Sequence, residues 1–290
     1  MKHAALVFLH ALSPLHAGTG QGIGAIDLPI AREKATGIPY LPGSSLKGVL
    51  RDRAAPWDQD WDQETRFAVF GPDTESASEH AGAVQVGDAK LLLLPVRSVY
   101  GVFALVTSPY LLVRFRREAE MVGLGTPETL EVQNPGQALL APGSRVLGDG
   151  GKVYLEDLDL EAREEAGARA WEDWLAQRLE APVKGRLVVV HDDLMGYLLE
   201  TATEVVARIR LDDETKTVAP GALWYEESLP TESVLYSLLR TEDSRRKGRN
   251  LPAEAILAMV KGLLEGPVQL GGKATVGRGL CAFKVVGGQA

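Results

Sequence analysis

Residues 16 to 53 read HAGTGQGIGAIDLPIAREKATGIPYLPGSSLKGVLRDR, and they constrain the fold more than any other stretch. From 13 to 43 glycine and proline recur without a sustained helical or strand period, which predicts a long loop. Loops of this length in a compact domain are usually functional or disordered. The preceding residues 2 to 12 are mostly apolar and predict a strand buried on both faces. The following GSSLKGVLRDRA predicts a helix with Ser44 or Ser45 as its N-cap. On it Leu46, Val49 and Leu50 share a core-facing side, while Lys47 and Arg51, four apart, share another.

The rest of the chain supplies both kinds of element. WDQETRFAVFG predicts a short helix, and residues 73 to 82 a mobile polar loop. AVQVGDAKLLLLPV and YGVFALVTS predict two strands. A helix follows, with Ser108 as N-cap and Pro109 in its first position. Short extended pieces over 123 to 160 lead to an amphipathic helix over 161 to 180 bearing Trp171, Trp174, Leu175 and Leu179. RLVVVHD predicts a strand, with His191 capping a helix. EVVARIRLDDETKTVAPGALWYEESLP predicts a hairpin-like excursion around a polar turn. A strand at SVLYSLLR, a helix over 252 to 265 and a strand–loop–strand at VQLGGKATVGRGLCAFKVV close the chain. Strands and helices mix without regular alternation, which gives an α+β domain with large insertions.

Composition narrows the function classes. No apolar run approaches the roughly 18 residues that span a bilayer, so no membrane partner is expected. The single Cys281 excludes an intrachain disulfide framework and a cysteine-rich zinc site, and a cytoplasmic protein is the simplest reading. The net charge of −8 argues against a free-standing nucleic-acid-binding domain. Yet the acids concentrate between Glu156 and Glu180, and the bases cluster elsewhere, as at Lys47, Arg51 and Arg53 or Arg245, Arg246, Lys247 and Arg249. Segregated charge can leave one basic face.

Neither glycine-rich segment is a dinucleotide fingerprint or a P-loop, because the spacings of both motifs are missing. What remains is simple chemistry. Glycines let backbone N–H groups approach a ligand and form an anion nest. Ser44 and Ser45 at a helix N-terminus, with Lys47 and Arg51 beside them, make an anion site or a plain capped surface helix. The loop GGKATVGRG sets Lys273 and Arg278 among Gly271, Gly272 and two further glycines. Two such loops in one chain favour a shared polyanion. Asp27 is the lone carboxylate between the glycine run and Pro29. It is a turn former, or beside a phosphodiester it binds a divalent ion or orients a sugar hydroxyl. His16 is a secondary candidate, and of Glu226 and Glu227 one could face a ligand.

These segments together resemble the RAMP superfamily of CRISPR systems. The pattern Gly-x-Ile-Asp-Leu-Pro-Ile-x-Arg-Glu, the turn PGSSLKG, ALWYEESLP and the closing VQLGGKATVGRGL are similar to the backbone subunit of the type III-B Cmr complex, a Cas seven-like protein. The resemblance implies one RAMP domain over 1–290. It has an RRM-like, ferredoxin-like core with insertions that form a palm and a β-hairpin thumb. The 13–43 loop and a hairpin over 192–226 are the insertions. It implies copies stacked in a helical filament on a CRISPR guide RNA, beside other Cmr subunits. The paired target RNA is then cut at regular intervals by metal-dependent endoribonuclease chemistry; a non-catalytic guide-binding scaffold is the alternative. Asp27 would be catalytic and hold the divalent ion, Mg or Mn, with His16 and Glu227 as further catalytic candidates. Ser44, Ser45, Lys47, Arg51, Gly271, Gly272, Lys273 and Arg278 would contact RNA. Met195 would lie on the thumb. A protein indifferent to guide sequence reads phosphate and ribose and leaves specificity to base pairing.

Overall fold

The computed structural model describes residues 3–20, 22, 26–55, 61–73, 76 and 78–287. The chain opens with strand β1 (Ala4–Ala11) and the short β2 (Tyr40–Leu41), followed by helices α1 (Gly43–Arg53) and α2 (Gln63–Phe70). Strands β3 (Val84–Val86), β4 (Ala89–Arg97) and β5 (Phe103–Thr107) precede helix α3 (Pro109–Met121). Next come β6 (Gln137–Leu140), β7 (Lys152–Leu155), β8 (Leu158–Glu164), helix α4 (Ala166–Ala176) and β9 (Leu187–Val190). Helix α5 (Asp192–Thr201) leads into β10 (Glu204–Leu211), β11 (Val218–Ser228) and β12 (Val234–Thr241). Helix α6 (Ala253–Gly262), β13 (Val268–Gln269) and β14 (Leu280–Val286) complete it.

One mixed sheet runs β13-β14-β1-β12-β4-β5-β9-β6-β8-β7, and β10 pairs with β11 in a separate two-stranded ribbon. Strand β1 explains the two-sided core. Every one of its residues is buried. Ala5, Val7, Leu9 and Ala11 enter a cluster with Leu46 and Leu50 of α1 and Ile256, Leu257 and Val260 of α6. The alternate Leu6 and Phe8 enter a second cluster with Leu112 and Phe115 of α3 and Trp171 and Leu175 of α4. A period of two thus sends one strand into two cores. In the second core the Phe115 ring lies 5.5 Å from Phe8 and 4.9 Å from Tyr236, the latter edge-on. Such pairs add about 0.5–1.5 kcal/mol beyond burial.

Three expectations change. The N-cap of α1 is Pro42, not Ser44 or Ser45; the Pro42 carbonyl accepts from Ser45 N–H at 2.9 Å and Leu46 N–H at 3.2 Å. Proline's fixed φ sets the start, and Gly43 follows because a Cβ there would stand 2.4 Å from the Val86 carbonyl oxygen. The helix expected over 161–180 shrinks to α4, because residues 158–164 alternate in burial and pair with both β6 and β7. Strand pairing there overrides the helix propensity of Glu, Ala and Arg. The hairpin begins at Glu204, not at 192, and Met195 lies in α5 with 2% of its surface exposed. It packs in the core and cannot wedge between bases. Part of the polar loop at 73–82 lies outside the described residues.

Candidate functional site

Residues Tyr225 to Ser228 of β11 gather the chemistry. The Tyr225 N–H donates to Asp27 Oδ2 at 2.8 Å. Leu28 then runs beside Glu226 as a parallel bridge, with Leu28 N–H to Tyr225 O at 3.1 Å and Glu227 N–H to Leu28 O at 3.0 Å. Asp27 is exposed, and its Oδ1 has no hydrogen-bond partner among the described residues. The loop therefore presents a carboxylate with one oxygen fixed and one open.

His16 is buried against the same strand. Its Nδ1 is 2.7 Å from the Glu227 carbonyl oxygen. A carbonyl only accepts, so Nδ1 carries the hydrogen, and in the neutral ring Nε2 keeps its lone pair. The glycines explain themselves around this ring. A Cβ on Gly18 would lie 2.6 Å from His16 Nε2, one on Gly271 2.4 Å from His16 O, and one on Gly272 3.1 Å from His16 Cδ2. Gly271 also needs its positive φ of 69°. Gly272 N–H donates to His16 O at 2.9 Å, so it is already occupied and offers no anion a bond. The two glycine bends thus meet at His16. Gly24 of the first bend lies outside the described residues.

The two glutamates do not divide into a ligand-facing and a solvated one; each is 3% exposed. Both Glu227 oxygens are engaged, by Arg32 Nη2 at 2.6 Å, Thr203 Oγ1 at 3.0 Å and Ile30 N–H at 3.1 Å. It braces the Asp27 loop rather than reaching a ligand. Glu226 accepts from Trp224 Nε1 at 2.7 Å, pairs with Lys273 at 2.8 Å and faces Arg208 Nε at 3.4 Å. Burial acts to raise its pKa, but the Lys273 and Trp224 hydrogen bonds and the charges of Lys273 and Arg208 prevail and hold it at about 2.

The expected RNA contacts separate into free and engaged groups. Ser44 and Ser45 are exposed on the first turn of α1. Lys47 has no acidic partner among the described residues; burial first, then the nearby Arg51 charge, lowers its pKa. Arg51 is held by Asp73 at 2.7 Å and the Pro72 carbonyl at 3.2 Å. Arg278 is buried, donating to Ser228 Oγ at 2.8 Å and facing Glu204 at 3.5 Å, so it fastens β11 and does not project to solvent. The first N–H of α1 is taken by Asp88 Oδ1 at 2.7 Å. No hydrogen bond among the described residues joins Ser44, Ser45 or Lys47 to the Asp27 or Lys273 loops. The arginine cluster at 245–249 is likewise engaged: Arg245 with Glu242, Arg246 with Glu64, Arg249 with Asp62.

Among the described residues no group of three or more His, Cys, Asp or Glu side chains is placed to hold a metal ion. Sequence reasoning missed Arg32 as the brace of Glu227 and Tyr225 as the anchor of Asp27. Arg32 was visible in the quoted pattern, but a backbone N–H carries no sequence signal.

The RAMP superfamily model matches residues 8–282. The chain belongs to the RAMP superfamily. It is 39% identical over 283 residues to the CRISPR system Cmr endoribonuclease Cmr4 of Pyrococcus furiosus, covering 95% of this chain and 93% of that one. The crystal structure of oligomeric Cmr4 from Pyrococcus furiosus superposes with a TM-score of 0.76 at 31% identity, over 99% of both chains. A chain of the type III-B Cmr-beta complex in its apo state superposes at 0.75 with 26% identity, over 98% of this chain and 97% of that one. Mixed α/β architecture of the Cmr4 kind is therefore the fold.

Proposed function

We propose that this RAMP-superfamily chain is a backbone subunit of a type III-B CRISPR effector complex that binds guide RNA and cuts the paired target RNA as an endoribonuclease. The observation that carries the reading is the β11 segment, where a half-open carboxylate and a lysine-bearing glycine loop meet. The relative's name, an endoribonuclease, and the oligomeric state of its crystal structure support it.

In this reading the antiparallel strands β14-β1-β12-β4, with α1–α2 and α6 as crossovers, are the ferredoxin-like core. The β10–β11 ribbon is the thumb, and the sheet beyond β5 contributes the palm. Copies stack along the guide and meet other Cmr subunits in the cytoplasm. Ser44, Ser45 and Lys47 contact guide phosphates without reading bases.

Cleavage uses the target's own 2′-hydroxyl. Its oxygen attacks the adjacent phosphorus, its proton passes to Asp27, and the 5′-oxygen leaves and takes a proton from solvent. The products are a 2′,3′-cyclic phosphate and a 5′-hydroxyl. Alignment of nucleophile, phosphorus and leaving oxygen supplies most of the rate. His16 acts as a positioning residue by locking the two glycine bends to β11. Asp27, whose Oδ1 has no hydrogen-bond partner among the described residues, would be the carboxylate that holds a divalent ion, Mg or Mn. When bound there it would neutralise phosphate charge and acidify the 2′-hydroxyl.

The test is Asp27→Ala in the guide-loaded complex. Target cutting is expected to fall by about 10²-fold or more, with guide binding and assembly intact because Asp27 is exposed. Cutting at the wild-type rate would instead favour a scaffold with chemistry in another subunit.

A further inference from the structure

Lys273 sits in a conformation that needs support. Its φ is +67°, in the left-handed region that a non-glycine residue rarely adopts, at the start of a 3-10 turn over Ala274–Val276. Its ammonium is fixed to Glu226 Oε1 at 2.8 Å, with about a third of the side chain (32%) exposed. Glu226 faces two cations, Lys273 and Arg208, at one buried carboxylate. One anion between two cations leaves a surplus positive charge. That surplus lies on the strand segment whose neighbouring Tyr225 N–H holds Asp27 and whose Glu227 carbonyl holds His16.

We propose that Lys273 is a cation for the scissile phosphate and that Glu226 is its positioning residue. The inference rests on the endoribonuclease reading and deepens it. Attack by the 2′-oxygen loads negative charge onto the non-bridging phosphate oxygens and the departing 5′-oxygen. A preorganised ammonium aimed at that charge stabilises the transition state more than the ground state. An ammonium has three N–H donors, and Glu226 engages one carboxylate oxygen, so donors remain for a phosphate. An untethered lysine would have to give up its rotamer freedom during the reaction; the Glu226 contact removes that cost beforehand. Glu226 cannot itself be the proton acceptor, because the cations around it keep the carboxylate a weak base. The other base of the loop, Arg278, is buried on Ser228 and cannot substitute.

The experiment compares wild type, Lys273→Met, Glu226→Gln and the double variant in the guide-loaded complex. It reads single-turnover cutting of matched RNA and, separately, guide and target affinity. Each single change is expected to slow cutting by about 10- to 100-fold while affinities stay within a few-fold. The double variant should be no slower than the worse single, since both act through one ammonium. Lys273→Arg should recover part of the rate. Losses that multiply, a Lys273→Met complex cutting at the wild-type rate, or a rate loss matched by an equal loss of target affinity would each overturn the proposal. Should Lys273→Met not assemble, Glu226→Gln decides: slowed cutting with unchanged binding supports it, and an unchanged rate overturns it. A wild-type complex that binds target but never cuts would defeat the endoribonuclease reading itself. Wild-type cutting that depends on Asp27 but not on Lys273 would defeat this inference alone.

Discussion

Acid should release the Glu226 clamp, and the size of the effect follows from its surroundings. A glutamate in the unfolded chain titrates near 4.5, and Glu226 in the folded protein at about 2. A folded-state pKa below the unfolded one means that the stabilisation is complete above 4.5 and disappears as pH falls toward 2. The drop from 4.5 to about 2, at about 1.4 kcal/mol per pH unit, sets a ceiling of about 3 kcal/mol. Lys273 and Arg208 keep 32% and 35% of their side chains in water, which screens the pair. About 2 kcal/mol is the expected contribution after that discount. Urea unfolding followed by tryptophan fluorescence, stepped from about pH 6 to about pH 2.5, measures it in wild type and Glu226→Gln. Other carboxylates held low, such as Glu33, Asp62 and Asp212, are common to both proteins and cancel in the difference. Wild type should be more stable above pH 4.5, and the gap should shrink by about 2 kcal/mol as the pH approaches the folded value. A gap that stays constant across that window, or none at neutral pH, would refute the electrostatic account of the clamp.

Three further outcomes follow from individual contacts. Glu227→Ala should cost about 3 kcal/mol in the same urea assay, because it leaves Arg32 and the Ile30 N–H without their buried partner. Met195→Ala should cost about 2–5 kcal/mol by opening a cavity under α5, and mapped cleavage positions should not move. Lys47→Ala should weaken guide binding equally for all guide sequences and reduce the slope of log affinity against log salt by about 1.

The main sheet was largely legible because its strands carry strong local patterns. AALVFLHA and RLVVVHD admit few alternatives, and Ser108 caps α3 as expected, accepting from Leu111 N–H. The misread elements are those where tertiary pairing or backbone geometry outweighs local preference. Residues 161–164 look helical by residue type but belong to a strand held between β6 and β7. At α1 the serines look like caps, yet the proline before them already closes the turn. In the site, the glycines and the carboxylate were visible as types, but their partners were not. Gly271 and Gly272 read as an anion nest because sequence cannot show that His16 fills the space beside them. Arg278 read as a free base for the same reason, since Ser228 lies 50 residues away. Charge in a sequence is countable, whereas charge left over after pairing is a property of the fold.

The pairing of loop to ribbon also sets a mechanical condition. A two-stranded hairpin is marginal in water without support, and the β10–β11 ribbon exposes Val205, Ile209, Leu211, Leu223 and Tyr225. Its root is secured from outside by Leu28, Ile30, Asp27, His16 and Arg278, each bonded to Tyr225, Glu227 or Ser228. The Asp27 carboxylate is therefore tied directly to the ribbon, while its carbonyl accepts from Gly22 N–H at 3.1 Å. Any load that tilts the ribbon at its root shifts the Tyr225 N–H, and with it the carboxylate. Catalysis by orientation tolerates displacements of well under about 1 Å, so the proposed cleavage site is complete only when the ribbon is seated. Substitutions at the ribbon root should then slow cutting even where they touch neither RNA nor Asp27, whereas those at the Asp212–Thr217 turn, at the opposite end, should leave the bonds to Asp27 intact.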